Sequence, residues 1–203
     1  MADKKVLIAG ATGLVGAAAM KHFGQAAGCE VVAVSRRRPM ETYGARWRAL
    51  DLTDAGACAA LASEFADVTH LVYAALHELP GLVAGWQEQE QIRTNDAMLR
   101  NLFEPLRQAA TRLRHVTLLQ GTKAYGVHVR PLTVPARENR SEMHEQPNFY
   151  WNQERYLRNL QTGMPWLWTI LRPVLIVGSS MGDRKSTRLN SSHVSESRMP
   201  SSA

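Results

Sequence analysis

"KKVLIAGATGLVG" (4–16) governs how the rest of the chain is read. Its first seven residues are a short apolar run ending at a glycine, the pattern of a strand buried on both faces of a parallel sheet. Gly10, Gly13 and Gly16 follow at G-x-x-G-x-x-G spacing, and "AAAMKHF" (17–23) has helical character. Strand, glycine loop and helix in that order are the context that gives such a motif meaning. Without side chains the loop can turn tightly and let a pyrophosphate approach the backbone. The helix start then supplies N–H groups that have no partner inside the helix. A plain strand-to-helix turn is the alternative, and the context favours the dinucleotide site.

"EVVAVSRRRP" (30–39) reads as the second strand and its exit. An acid at that exit would accept a hydrogen bond from the ribose 2′-hydroxyl of NAD. Here Ser35 is followed by Arg36, Arg37 and Arg38. A carboxylate would repel a 2′-phosphate, whereas guanidinium forks grip one. NADP(H) is therefore the expected cofactor, against the alternative of a solvated basic loop.

Four further strands are expected. "RWRALDLTD" (46–54) predicts a third ending at Asp51, where an acid could contact adenine. "THLVYAAL" (69–76) predicts a fourth, in which Ala74 and Ala75 would let the cofactor lie close. "RHVTLLQG" (114–121) and "TILRPVLIVG" (169–178) predict the fifth and sixth, with Pro173 near the end of the last. A helical stretch runs from about Leu82 to Arg112, with Asn95 and Asn101 read as surface or packing residues. Strands alternating with helices predict an α/β fold with a parallel sheet wrapped on both faces. The polar, proline-bearing stretch 129–147 reads as a long loop over the active-site edge.

A reductase of this kind would be expected to carry Tyr-x-x-x-Lys, yet Tyr150 in "NFYWNQERY" (148–156) is followed four residues later by Glu154. A lysine is available elsewhere: Lys123, in "GTKAYG" (121–126), follows the fifth strand at its C-terminal edge, where open α/β sheets bind ligands. Tyr150 starts the next helical segment at that same edge. A nearby ammonium would lower the tyrosine pKa and favour a proton donor or oxyanion partner. The alternative is that Tyr150 packs with Phe149 and Trp151 while Lys123 is solvated.

"GATGLVG", "SRR", "GTKAY", "NFYWNQE" and "RPVLIVG" together resemble, in order and spacing, the progesterone 5β-reductase/iridoid synthase-like branch of the short-chain dehydrogenase/reductases. That branch is similar in lacking Tyr-x-x-x-Lys. The resemblance, which covers about residues 4–181, implies a Rossmann-type doubly wound parallel sheet with the substrate domain largely missing. It assigns Lys123 and Tyr150 the catalytic places. It assigns Gly10, Thr12, Gly13, Leu14, Val15, Gly16, Ser35, Arg36, Arg37, Asp51, Leu52, Ala75 and Ile176 to the cofactor, which Lys123 and Tyr150 also touch. It implies NADPH-dependent reduction of an enone: hydride to the β-carbon, with the Tyr150 hydroxyl stabilising the enolate oxygen. "GVHVRP" (126–131) replaces the G-P-F that often follows the lysine element, which leaves the substrate pocket open. A nucleotide-sugar epimerase or dehydratase and a non-catalytic NADP-sensing module are the competing functions.

Composition adds bounds. The chain has 203 residues, 45% of them hydrophobic, enough for one packed domain. No apolar run of about 18 residues predicts a membrane span. The start shows no secretory signal. Cys29 and Cys58 form no disulfide framework, so a reduced, cytoplasmic setting is expected. The net charge of +6 does not argue for nucleic acid, because the basic residues are scattered and some lie in the ending. A small-molecule substrate is expected and no metal, and a homodimer is left open for the intact parent. "DRKSTRLNSSHVSESRMPSSA" (183–203) has no periodicity and no apolar face. Reverse translation of Asp183 to His193 yields DNA that looks like a common sequencing-library adapter. Residues 1–182 are thus expected to be an incomplete NAD(P)-binding Rossmann domain, and 183–203 a non-native, disordered tail.

Overall fold

In the computed structural model of the chain, residues 3–79, 86, 88–138 and 146–178 are described. The expected tail, and residues 139–145 of the expected loop, lie outside them. Among the described residues the strands are β1 (Lys4–Ala9), β2 (Cys29–Ser35), β3 (Arg46–Ala49), β4 (His70–Tyr73), β5 (His115–Leu119) and β6 (Leu167–Leu171). The helices are α1 (Leu14–Gln25), α2 (Ala55–Leu61), α3 (Gln89–Ala109) and α4 (Phe149–Gln161). Every neighbouring strand pair is parallel, and the order is β3-β2-β1-β4-β5-β6. The sheet is the doubly wound Rossmann type, as the sequence implies.

Side chains alternate along each strand, so one sheet feeds two cores. Val6 and Ile8 of β1 join Met20 of α1 and Val31 and Ala33 of β2 on one face. Leu7 and Ala9 point the other way, into a larger core with Val32, Leu71, Val116 and Leu118. The larger core is closed by α3, whose Met98, Leu99, Leu102, Phe103 and Leu106 recur at helical spacing and are buried. Each such side chain contributes about 2 kcal/mol by leaving water.

Helix starts are set locally. The Asp54 carboxylate accepts from Ala57 N at 2.9 Å and caps α2. The Asn148 side chain accepts from Tyr150 N at 3.0 Å and caps α4. The second cap matters for function, because it fixes where the helix carrying Tyr150 begins.

Several boundaries are corrected. β6 runs Leu167–Leu171, not 169–178, because Pro173 has no N–H to extend the ladder. β3 stops at Ala49, so Asp51 lies on the loop beyond it, and β4 stops at Tyr73, leaving Ala74 and Ala75 past its end. Cys29 and Cys58 are both free thiols. No described helix is long and apolar enough to cross a membrane.

Candidate active site

The strand order reverses between β1 and β4, so the chain leaves their C-terminal ends in opposite directions and opens a crevice. A cleft of about 300 Å³ lies there. Its walls bring together Gly10, Thr12, Gly13, Leu14, Val15, Ser35, Arg36, Asp51, Leu52, Ala75, Lys123, Tyr150 and Ile176. Two of the residues assigned to the cofactor, Gly16 and Arg37, are not on the wall.

The glycine loop is shaped by backbone contact. Gly10 has φ +83°, and a Cβ there would sit 2.7 Å from Ala74 O and Ala75 N, so the loop abuts the chain leaving β4. Gly16 is buried beneath the loop, where a side chain would strike the backbone of Gly10. Its glycine is needed for close helix–loop packing. Gly13 is the N-cap of α1, with no side chain to satisfy the first-turn N–H groups and no acidic residue in that turn. An anionic diphosphate fits that helix start, by hydrogen bonding and by the helix dipole.

At the far end of this half-site, Arg36 is exposed and lines the cleft beside Asp51. Backbone and side-chain hydrogen bonds from Thr53, at 3.0 and 2.8 Å, hold the Asp51 carboxyl below the usual carboxylate range, and Arg36 adds to the effect. The Ser35 hydroxyl donates to Arg37 O at 2.7 Å and accepts from Trp47 Nε1 at 3.0 Å. Ser35 therefore shapes the turn, while Arg36 is the one of the three arginines on the cleft wall.

The end of the cleft that holds Lys123 and Tyr150 is built from β5, α4 and the segment after β4. Lys123 sits on a 3-10 turn directly after β5 and is only 4% exposed. It is not solvated. Its Nζ has no hydrogen-bond partner among the described residues and lies 3.9 Å from the centroid of the Trp86 ring. Burial lowers the Lys123 ammonium to about 8, against an upward pull from Glu78. Tyr150 lines the same cleft, and Trp86 meets it edge-on at 5.1 Å while stacking on Phe149 at 4.8 Å. The expected lowering of the Tyr150 pKa is corrected. Burial, reinforced by the Glu78 carboxylate, holds that hydroxyl well above the ordinary tyrosine value, so it stays protonated.

The position four residues after Tyr150 is committed elsewhere. Glu154 accepts from Arg172 Nη2 at 2.5 Å and from Arg158 at 2.9 Å. Arg172 also donates to Gln120 Oε1 at 3.1 Å, and Gln120 Nε2 donates to Tyr150 O at 2.9 Å. This chain of contacts ties α4 to the ends of β5 and β6. Asn95, read from sequence as a surface or packing residue, is fully buried and works as a clamp. Its side chain accepts from His77 N at 2.8 Å and donates to His77 O at 2.7 Å, while its backbone carbonyl takes Gln153 Nε2 at 2.9 Å.

Sequence reasoning missed Glu78, Trp86, Gln120 and Arg172. Asn95 had a signal, a carboxamide on the apolar stripe between Ile92 and Met98. Gln120 had one too, as an amide closing the apolar run of β5. Trp86 had none, because its contacts to Lys123 and Tyr150 join distant segments, and Glu78 had none, because it meets the site through Trp86. Among the described residues no cluster of His, Cys, Asp or Glu could hold a metal ion.

Comparison with known proteins adds a frame. Residues 6–196 match the model of the NAD dependent epimerase/dehydratase family. The short chain dehydrogenase gsfE of Penicillium aethiopicum is 38% identical over 92 residues, which cover 45% of this chain and 24% of that protein. The 3-oxo-Delta(4,5)-steroid 5-beta-reductase of Arabidopsis thaliana is 31% identical over 197 residues, covering 88% of this chain and 47% of that one. The chain thus spans less than half the length of these curated relatives. Among solved structures, UDP-glucose 4-epimerase from Brucella ovis in complex with NAD superposes with a TM-score of 0.68 at 17% identity, covering 87% of this chain and 53% of the other.

Proposed function

Because the chain belongs to the NAD dependent epimerase/dehydratase family, we propose that the whole protein is an NADPH-dependent reductase of the carbon–carbon double bond of an enone. The observation that carries this reading is the placement of Tyr150, buried on one cleft wall with Lys123 while Glu154, four residues on, is paired with Arg172. A buried phenol held protonated is suited to donate a hydrogen bond to a developing enolate oxygen, and unsuited to start as a base. The name of the Arabidopsis thaliana relative, a steroid 5-beta-reductase, supports the same chemistry.

The residues divide the work. The first turn of α1 and Gly13 would take the diphosphate, and Arg36 a 2′-phosphate. Bound NADPH would supply the hydride. Tyr150 would orient the substrate carbonyl and stabilise the enolate oxygen, and Lys123 would place a positive charge beside it. Trp86 and Phe149 exclude water from that end, which strengthens the hydrogen bond from Tyr150.

The test is an assay of the whole protein with NADPH and simple enones, with product identification. Saturated ketone is the expected product. Allylic alcohol as sole product, or interconversion of nucleotide sugars without enone reduction, would overturn the reading.

A further inference from the structure

Lys123 poses an electrostatic problem that its own neighbourhood does not solve. Its ammonium is buried against an indole ring, with no hydrogen-bond partner among the described residues, and an isolated buried charge tends to lose its proton. The indole of Trp86 lies against it, at 3.9 Å to the ring centroid. The edge of the same indole donates from Nε1 to Glu78 Oε1 at 3.3 Å. One aromatic ring therefore carries the ammonium on its face and a carboxylate at its rim. Glu78 also lines the cleft with Lys123 and Tyr150.

Among the described residues, the other groups around Lys123 do not supply this charge. His77 follows β4, Tyr125 and His128 flank the lysine turn, and Tyr150 comes from α4. None of these carries a negative charge near neutral pH. Arg172 packs over the Tyr125 ring at 5.1 Å and has the same sign as Lys123.

We propose that Glu78 is a positioning residue of this site, its carboxylate serving as the counter-charge that keeps the buried Lys123 protonated while the site works. The importance of the ammonium for turnover rests on the reductase reading. The charge coupling does not.

Substitution can separate charge from shape. Glu78 is exposed, and Glu78→Gln keeps an oxygen for the Trp86 N–H while removing the negative charge. Glu78→Asp keeps the charge. The titration of Lys123 would be followed by 13Cε-lysine NMR on the 203-residue chain, with its signal assigned through Lys123→Met.

In Glu78→Gln the Lys123 midpoint should fall by roughly half a pH unit, as for one opposite charge across a partly solvated gap. That shift raises the ratio of neutral amine to ammonium about threefold near the midpoint. Glu78→Asp should retain most of the wild-type midpoint. An unchanged Lys123 midpoint in Glu78→Gln would overturn the proposal, and so would an equal fall in Glu78→Asp.

In the whole protein, the decline of turnover on the alkaline side should move to lower pH in Glu78→Gln, because Lys123 then loses its proton earlier. A whole protein that shows the NMR shift but reduces no enone would sink the reductase reading and still uphold Glu78 as the counter-charge.

Discussion

The side-chain amide of Gln120 donates to the backbone carbonyl of Tyr150 at 2.9 Å, joining the end of β5 to the first turn of α4. Arg172, just past β6, donates to the other end of the same amide and pairs with Glu154. Tyr150 is thus located by its helix cap at Asn148 and by a three-residue relay that never touches its hydroxyl.

Breaking that relay should cost stability according to what is left unpaired. Arg172→Met leaves Glu154, whose side chain is only 13% exposed, with Arg158 alone as its partner, and should destabilise the fold by about 2 kcal/mol, the value of a hydrogen bond to a charged group. The double variant Arg172→Met/Glu154→Leu should recover most of the loss, since both charges are gone. Urea unfolding of the variants measures both values, and a double variant no better than the single would refute the pairing argument.

Tyr150→Phe removes only the hydroxyl and keeps the ring packed against Trp86 and Phe149. Turnover in the whole protein should fall roughly 10²–10³-fold, as when one oxyanion donor is lost. NADPH affinity, read by titration, should stay nearly unchanged.

Arg36 is the arginine on the cleft wall at the end of β2. The whole protein should bind NADPH more tightly than NADH, and Arg36→Ala should reduce the preference by about 1.5–3 kcal/mol, the value of a hydrogen bond to a charged group. Arg37→Ala should have a smaller effect, because Arg37 is off the wall. Paired titrations with both cofactors test this, and equal wild-type affinities would contradict it.

Lys123 weakens the fold that holds it. Burial lowers it from 10.5 to about 8, so below about pH 8 the folded protein holds a charge that the unfolded chain solvates better. The unfolded state binds more protons between those two values, so stability rises with pH across that window. Lys123→Met should therefore stabilise the chain at pH 7 by about 3 kcal/mol. The gain should shrink as pH climbs from 8 towards 10.5, as urea unfolding at several pH values would show.

The sheet and the glycine-loop end of the cleft were legible from local pattern. Apolar runs ending at glycine, the spacing of Gly10, Gly13 and Gly16, and Arg36 after the second strand all lie within about thirty residues of sequence. The physics there is local. A strand needs its alternation, a tight turn needs glycine, and a helix start needs an anion. The reach of β6 was misjudged because an apolar run continues past Pro173, while the ladder cannot.

The end of the cleft with Lys123 and Tyr150 was decided by tertiary structure. The sequence by itself supplied Lys123 and Tyr150 as candidates, one placed after β5 and the other at the start of α4, and the fold brought both to one cleft wall. It did not supply the sign of the Tyr150 shift, because that sign depends on how much water is removed and on which charge stands nearby. Burial and Glu78 both oppose ionisation of the phenol, whereas the sequence suggested that Lys123 would promote it. Nor did it supply the indole of Trp86 between Lys123 and Glu78, or the Gln120–Arg172–Glu154 relay. Apart from the Trp86–Glu78 hydrogen bond, which spans 8 residues, those contacts join residues from 18 to 52 positions apart, where no periodicity or spacing rule reaches, and only the crossing of strands and helices sets their distances.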